Sequence, residues 1–248
     1  MPTLESFHSK IDFSGFNLNK IFIDDYPKGR DDTIFHKIKK QYNFNELILH
    51  NKNMGQSVTW KQAWEMLPED TDYIWHQEDD FLFPSEINVE ELVYLIENFP
   101  LAPERLSQIC LKRQAWYSGG TDFINQIESG EVGHEVNVKF KDQNRKLVLH
   151  QHYFNANPCI YPKWVTKEKY SHNPQESVIP NDLKKKYGSA VYSAIYGGRN
   201  DPPLCEHIGH YNQGQKVAEN EPGWDWLKDY DPNKKYYSNQ WMKEYNKQ

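Results

Sequence analysis

Apolar residues come in short bursts along the first third of the chain. Runs at residues 20–24, 46–50 and 72–75 are separated by polar stretches long enough to hold a helix each. That alternation predicts βαβ units and a mostly parallel sheet. Between the first two runs, Ile34, Phe35 and Ile38 recur at helical spacing over residues 31–42, with Asp31 or Asp32 near the N-terminus. Residues 57–67 predict a second helix, with Ser57 as N-cap, an apolar set of Val58, Trp60, Ala63, Trp64 and Leu67, and Pro68 as its end.

Further along, Val89, Leu92, Val93 and Ile96 predict a helix over residues 88–98 closed by Pro100, and residues 106–111 read as a strand. Residues 136–140 and 146–150 flank a polar turn at 141–145 and read as a hairpin. A helix over 181–187 stops at Gly188, where a left-handed C-cap is expected. From residue 213 onward the chain is polar, aromatic and without periodicity. The expected organisation is one α/β unit over residues 1–212 and a tail over 213–248, packed on that unit or extending from it.

Composition narrows the function classes. Hydrophobic residues make up 38% and charged residues 26%, which is a globular balance, while 15% aromatics and a mean hydropathy of -0.90 give a polar surface rich in rings. Such a surface suits a polyhydroxylated ligand, since ring faces stack on C–H groups and amides and acids bond hydroxyls. A net charge of -6 argues against nucleic acid as partner. Cys110, Cys159 and Cys205 are odd in number with no paired spacing, and read as reduced thiols of a cytoplasmic protein. Residues 1–10 lack an apolar core of signal-peptide length, and no stretch is apolar for long enough to span a membrane.

In a parallel sheet, ligands gather at the carboxyl ends of strands. Two acid groups stand there: Asp24 and Asp25 after Ile21-Phe22-Ile23, and Glu78, Asp79 and Asp80 after Tyr73-Ile74-Trp75-His76-Gln77. Three consecutive carboxylates framed by apolar sequence repel one another unless a cation or strong donors neutralise them. Mn²⁺ or Mg²⁺, which prefer oxygen ligands and leave positions open to phosphate, would do so. His207 and His210 flank a glycine late in the chain and are candidates to complete such a site. Gly197-Gly198-Arg199-Asn200-Asp201 supplies a loop and a guanidinium suited to closing on phosphate. Lys112, Arg113, Trp116 and Tyr117 are candidate acceptor-side groups.

Four segments, in order, resemble family-2-like GT-A glycosyltransferases. They are Ile21 to Asp25; Asn51-Lys52-Asn53-Met54-Gly55-Gln56-Ser57 leading into Trp60 to Trp64; Tyr73 to Asp80; and His207-Ile208-Gly209-His210. The resemblance implies a GT-A, Rossmann-like fold and transfer of a sugar from a nucleotide diphosphate sugar, with a UDP-sugar favoured, to an acceptor hydroxyl on a glycan, protein or small molecule. By it, Asp24 or Asp25 contacts the nucleoside, Asn53 and Gly55 lie near the nucleotide sugar, and Asp79 and Arg199 belong to the same donor site. Glu78, Asp80 and His207 are then the metal ligands. The family's general base falls on Glu176, with Asp182 next. The chain starts inside what would be the family's first helix, at Thr3-Leu4-Glu5-Ser6-Phe7, so the family's first strand is expected to be missing. An exposed sheet edge and the loss of part of the base pocket would follow, so that Asp12 to Phe16 substitutes, a partner such as a second copy of the chain covers the edge, or donor binding is weakened.

Two other readings use the same residues. A metal-dependent hydrolase would use Glu78, Asp79, Asp80, His207 and His210 to activate water and would not need Asp24 or Gly55. A non-catalytic carbohydrate-binding protein on a degenerate transferase scaffold would be indifferent to loss of Glu176.

Overall fold

The computed structural model describes residues 2–25, 31–99, 105–112, 133–198 and 201–207. Helix α1 (Pro2–Lys10) leads into the short strand β1 (Ile11–Asp12), which pairs in parallel with β6 (Ile87–Asn88). Strand β2 (Ile21–Asp24), helix α2 (Asp32–Tyr42) and strand β3 (Glu46–Leu49) form a βαβ unit whose strands pair in parallel, Ile21 opposite Glu46. Asp31 caps α2 through the Thr33 amide, and Asn43 closes it at φ 54°, a left-handed position that asparagine tolerates. Helix α3 (Gln56–Glu65) then leads to β4 (Tyr73–His76) and the two-residue β5 (Phe81–Leu82). Its N-cap is Gly55 at φ 81° rather than Ser57, because the preceding turn needs a left-handed residue.

The centre is a six-stranded sheet in the order β4-β10-β7-β11-β9-β8. Its other members are β7 (Arg105–Leu111), the hairpin β8 (His134–Phe140) and β9 (Gln143–His150), β10 (Cys159–Pro162) and β11 (Val191–Tyr196). Strand β12 (Glu206–His207) pairs antiparallel with β5. The architecture is therefore mixed α/β. The expected mostly parallel sheet is corrected: within the central sheet only β7 and β11 pair in parallel, because β10 returns antiparallel between β4 and β7 and the hairpin adds two antiparallel strands. The hairpin turn is also tighter than expected, with Lys141 at φ 52° and polar Gln143 and Asn144 already paired.

Alternation along the strands buries both faces of the sheet. Ile109, Leu147, Leu149, Ile160 and Ala194 join α4 (Val89–Glu97), through Leu92, Leu95 and Ile96, on one side. Cys110, Val148, Cys159, Tyr161 and Ile195 meet Trp60 of α3 and Ile179 and Leu183 of α5 (Val178–Tyr187) on the other. Gly188 closes α5 at φ 61°, as its position in the sequence implies. All three cysteines are free thiols in this core. No described helix is long and apolar enough to cross a membrane.

One buried charge ties the first side together. Glu91 on α4 is 5% exposed and receives Arg145 Nε and Nη2 from β9 and the Tyr196 hydroxyl from β11. Removing only the cation leaves a buried carboxylate without its counter-charge. Arg145→Met is expected to cost about 3–5 kcal/mol, and the Glu91→Gln/Arg145→Met double variant clearly less, as read by chemical denaturation. Equal losses in the two proteins would show that the pair is not electrostatically coupled.

Candidate functional site

The acid cluster sits where β4 ends. Strand β4 runs Tyr73–His76 with His76 facing Trp60 edge-on at 4.9 Å between ring centroids, so this end of the strand lies beneath α3. Gln77 and Glu78 follow, and the Gln56 side-chain amide, in the first turn of α3, donates to Glu78 Oε1 at 3.1 Å. Desolvation, reinforced by the charges of Asp80, Glu176 and Asp79, pushes the Glu78 carboxyl up from 4.5 to about 8, opposed by the Gln56 amide. At neutral pH Glu78 therefore holds its proton unless a cation arrives.

Glu176, far away in sequence, belongs to this cluster. It precedes α5, and its carboxylate is fixed on both oxygens: Oε1 accepts from the Ala156 amide at 2.9 Å, and Oε2 accepts from the Tyr153 hydroxyl. The Phe154 amide donates to the Glu176 carbonyl at 3.0 Å, so residues 153–156 wrap around this acid. The loop is in turn clamped from within the sheet by Gln108, which is fully buried. Its amide donates to the Asn155 carbonyl at 2.7 Å and its oxygen accepts from the Asn155 amide at 2.9 Å.

The second acid group behaves differently. Asp25 Oδ1 accepts from the Met54 amide at 2.7 Å and from His50 Nδ1 at 2.8 Å, and Oδ2 accepts from the Gly55 amide at 2.6 Å. Burial works against ionisation here, but these donors outweigh it and hold Asp25 below its ordinary value. Asn53 Oδ1 also accepts from Gly55, at 2.9 Å. Asp25, Asn53 and Gly55 thus meet in one turn, in which Asp25 spends its oxygens shaping the entry to α3. The carbonyl of Asp24 accepts from the His50 amide, joining the ends of β2 and β3.

Asp182 is placed elsewhere. On α5 it accepts from the Ser171 amide at 2.6 Å and from Lys185 at 3.2 Å, which lower its pKa, and it is not among the acids that act on Glu78. That pairing makes it a loop anchor. Lys112, expected on an acceptor side, is buried and donates to the Gly198 and Asp201 carbonyls at 2.7 and 2.6 Å, anchoring both of those residues. Asp79 is exposed, and its carbonyl receives the Thr3 hydroxyl of α1. His207 lies on β12, its backbone paired with Phe81 directly after Asp80. Arg199, Arg113, Trp116, Tyr117, His210 and the tail of residues 213–248 lie outside the described residues.

The sequence reading passed over four groups. Gln56 lies inside a quoted motif without a role, and Glu206, pushed up to about 7 by burial, sits beside His207. Tyr153 and Gln108 act only through the fold, and no local pattern marks them. Among the described residues no three histidine, cysteine or acidic side chains are grouped as a ready metal site.

The raised Glu78 makes a pH prediction. Its pKa is higher folded than unfolded, so the unfolded chain loses this proton near 4.5 while the folded one keeps it to about 8. Stability from this group is present below the lower value and is lost as pH rises through that window. With a chelator present, Glu78→Gln should match wild type at pH 5 and exceed it at pH 8 by more than about 1 kcal/mol, roughly 2–4 °C in Tm. Melting curves that stay parallel across pH would refute the assignment.

Comparison of the chain with models of protein families, with curated proteins and with solved structures gives no match in any of the three.

Proposed function

We propose that the chain is a metal-assisted glycosyltransferase of GT-A type, acting at the end of β4. The observation that supports this reading is the convergence of Glu176, Asp79 and Asp80 on Glu78. A carboxylate fixed by Ala156 and Tyr153 stands beside an acid cluster short of positive charge. The turn at Asn53 and Gly55, opening α3 next to Glu78, adds to it, as does the backbone of His207 alongside Phe81.

The acids are not drawn together as a ready metal site among the described residues, but their donors are oxygens of the kind a hard divalent ion takes, and their charge deficit is what such an ion relieves. Mn²⁺ or Mg²⁺ would be held by Glu78 and Asp80 with His207, and would supply charge neutralisation at the departing diphosphate. Glu176 takes the proton of the acceptor hydroxyl as that oxygen bonds to the sugar's anomeric carbon. The bond from that carbon to the diphosphate oxygen breaks, and the nucleoside diphosphate leaves with its electron pair. Gln56, at the start of α3 behind the Asn53–Gly55 turn, extends its side-chain amide to Glu78 on the donor side of the cluster. Asp25 preserves that turn.

Calorimetric titration of UDP and GDP, with and without Mn²⁺, tests the donor site. Binding of one nucleotide only with metal, weakened at least tenfold in Asp80→Ala, is expected. Glu176→Gln should keep that binding and lower release of nucleoside diphosphate from a turned-over donor by about 10²–10⁴. If neither nucleotide binds wild type with Mn²⁺, the transferase reading fails and the carbohydrate-binding alternative takes its place.

A further inference from the structure

Strand β9 outruns its neighbour β11. Tyr196, the last residue of β11, stands opposite Leu147, whereas Gln143 to Lys146 continue past it with β8 on their other side. The space beyond Tyr196 is an open cleft of about 290 Å³, lined by Asn144, Arg145 and Lys146 together with Asp201, Pro202 and Leu204. Small-molecule sites span about 300–1,000 Å³, so the cleft suits a single ring rather than a nucleotide. Strand β10 is antiparallel to both β4 and β7, and β11 is parallel to β7, so β4 and β11 end on the same edge of the sheet. Three strand spacings of about 4.8 Å separate them.

Asn137 on β8 joins Asn144 in lining this cleft. The pairs Asn137↔Lys146 and Lys139↔Asn144 make the two asparagines diagonal neighbours on one face of the hairpin, about 7–8 Å apart. Asparagine is disfavoured in strands. Both are exposed, and among the described residues their side-chain amides bond no other group. The Gly197 amide donates to the Lys146 carbonyl at 3.0 Å, and alternation along the strand turns the Asn144 N–H and C=O to that same side, past the end of β11. Lys112 holds the residues that complete the cleft. Its ammonium donates to the Gly198 and Asp201 carbonyls, its own carbonyl accepts from the Leu204 amide at 2.7 Å, and the Gly198 amide donates to Asp201 Oδ2 at 2.6 Å. The cleft is thus built before any ligand arrives.

Charge decides the ligand class. Each cation on the cleft has its own acid: Arg145 bonds Glu91, and Lys146 bonds Glu135 at 3.0 Å. Asp201 adds a third carboxylate, so a phosphate or carboxylate ligand meets three acids against two cations. Glu91 is engaged by Arg145 and Tyr196, and Asp201 by the Gly198 amide, so a metal ion is offered no open set of oxygens. What faces a ligand is neutral: two side-chain amides, the N–H and C=O of a strand, and the apolar Pro202 and Leu204. Hydroxyls donate and accept, as amides do, and a C–H face suits the apolar residues. We propose that this cleft binds one uncharged sugar ring and serves as a subsite for a glycan acceptor whose reacting end lies at Glu176. The acceptor role rests on the proposed transferase, whereas ring binding does not.

The test uses the full chain, ¹⁵N-labelled, titrated with methyl α-glucoside, methyl β-galactoside, methyl α-mannoside, N-acetylglucosamine and, separately, inorganic phosphate. The side-chain amides of Asn137 and Asn144 are identified by their loss in Asn137→Ala and Asn144→Ala. At least one sugar is expected to shift these signals, and phosphate to leave them in place. The double variant should bind that sugar at least tenfold more weakly with its Tm unchanged, because neither amide supports the fold. If no sugar moves the signals, if phosphate moves them as sugar does, or if the double variant binds as wild type does, the proposal is overturned. Nucleotide titration of wild type separates the two failures. Sugar binding in the cleft without nucleotide binding sinks the transferase and the acceptor role with it, and nucleotide binding with unmoved Asn137 and Asn144 amides sinks only this inference. Where both bind, the double variant should raise KM for an oligosaccharide of that sugar at least tenfold with kcat kept, and an unchanged KM ends the acceptor role.

Discussion

Strand β10 runs antiparallel between β4 and β7, and the site depends on that insertion. A parallel strand there would carry its N-terminal neighbours to the opposite end of the sheet. Because β10 is reversed, residues 153–158 arrive beside the end of β4, and Cys159 faces His76 and Cys110 together. Gln108, buried on β7, then fastens the arriving loop by bonding the Asn155 backbone in both directions. Glu176 is caught by that loop rather than by its own helix, which begins only at Val178.

The electrostatics follow from the same convergence. Glu78 is desolvated beneath α3 and faces three further acids, so its protonated form is favoured and a side-chain amide suffices to hold one oxygen. Asp25 shows the opposite arrangement a short distance away in the fold. It too is partly buried, but two backbone amides and a histidine keep it ionised and fully engaged. Burial alone does not decide what a carboxylate can do; the number of donors converging on it does.

Elements with strong local signals were legible. The βαβ unit of β2, α2 and β3, the helices α3 and α4, and the β8–β9 hairpin follow from periodicity and caps, and Asp31 caps α2 as its position implies. What was not legible is carried by pairing. Cys159–Pro162 is four residues with no alternation to mark it, and Val191–Tyr196 is buried on both faces, so nothing local announces either strand or its direction. The sheet was therefore expected to be mostly parallel. The same gap explains the site: Glu78 and Glu176 were named from sequence, whereas Gln108 and Tyr153 acquire meaning only from the fold, and Asp182 was named for a position that the fold turns toward Ser171.

A fold of this kind trades stability for an open constellation. The two sheet faces are filled with apolar side chains, and most buried polar groups near the site are paired: Gln108 with Asn155, Tyr161 with Trp64 at 2.9 Å, and Glu176 with Ala156 and Tyr153. Against that background a protonated Glu78 stands out as a cost the surrounding structure enforces. It lies just past the end of β4, where Gln56 in the first turn of α3 reaches it. Buried polar atoms without a hydrogen-bond partner also occur elsewhere, at Tyr42 and His150, so what sets this end of β4 apart is the crowding of carboxylates on a desolvated Glu78 rather than an unpaired donor as such.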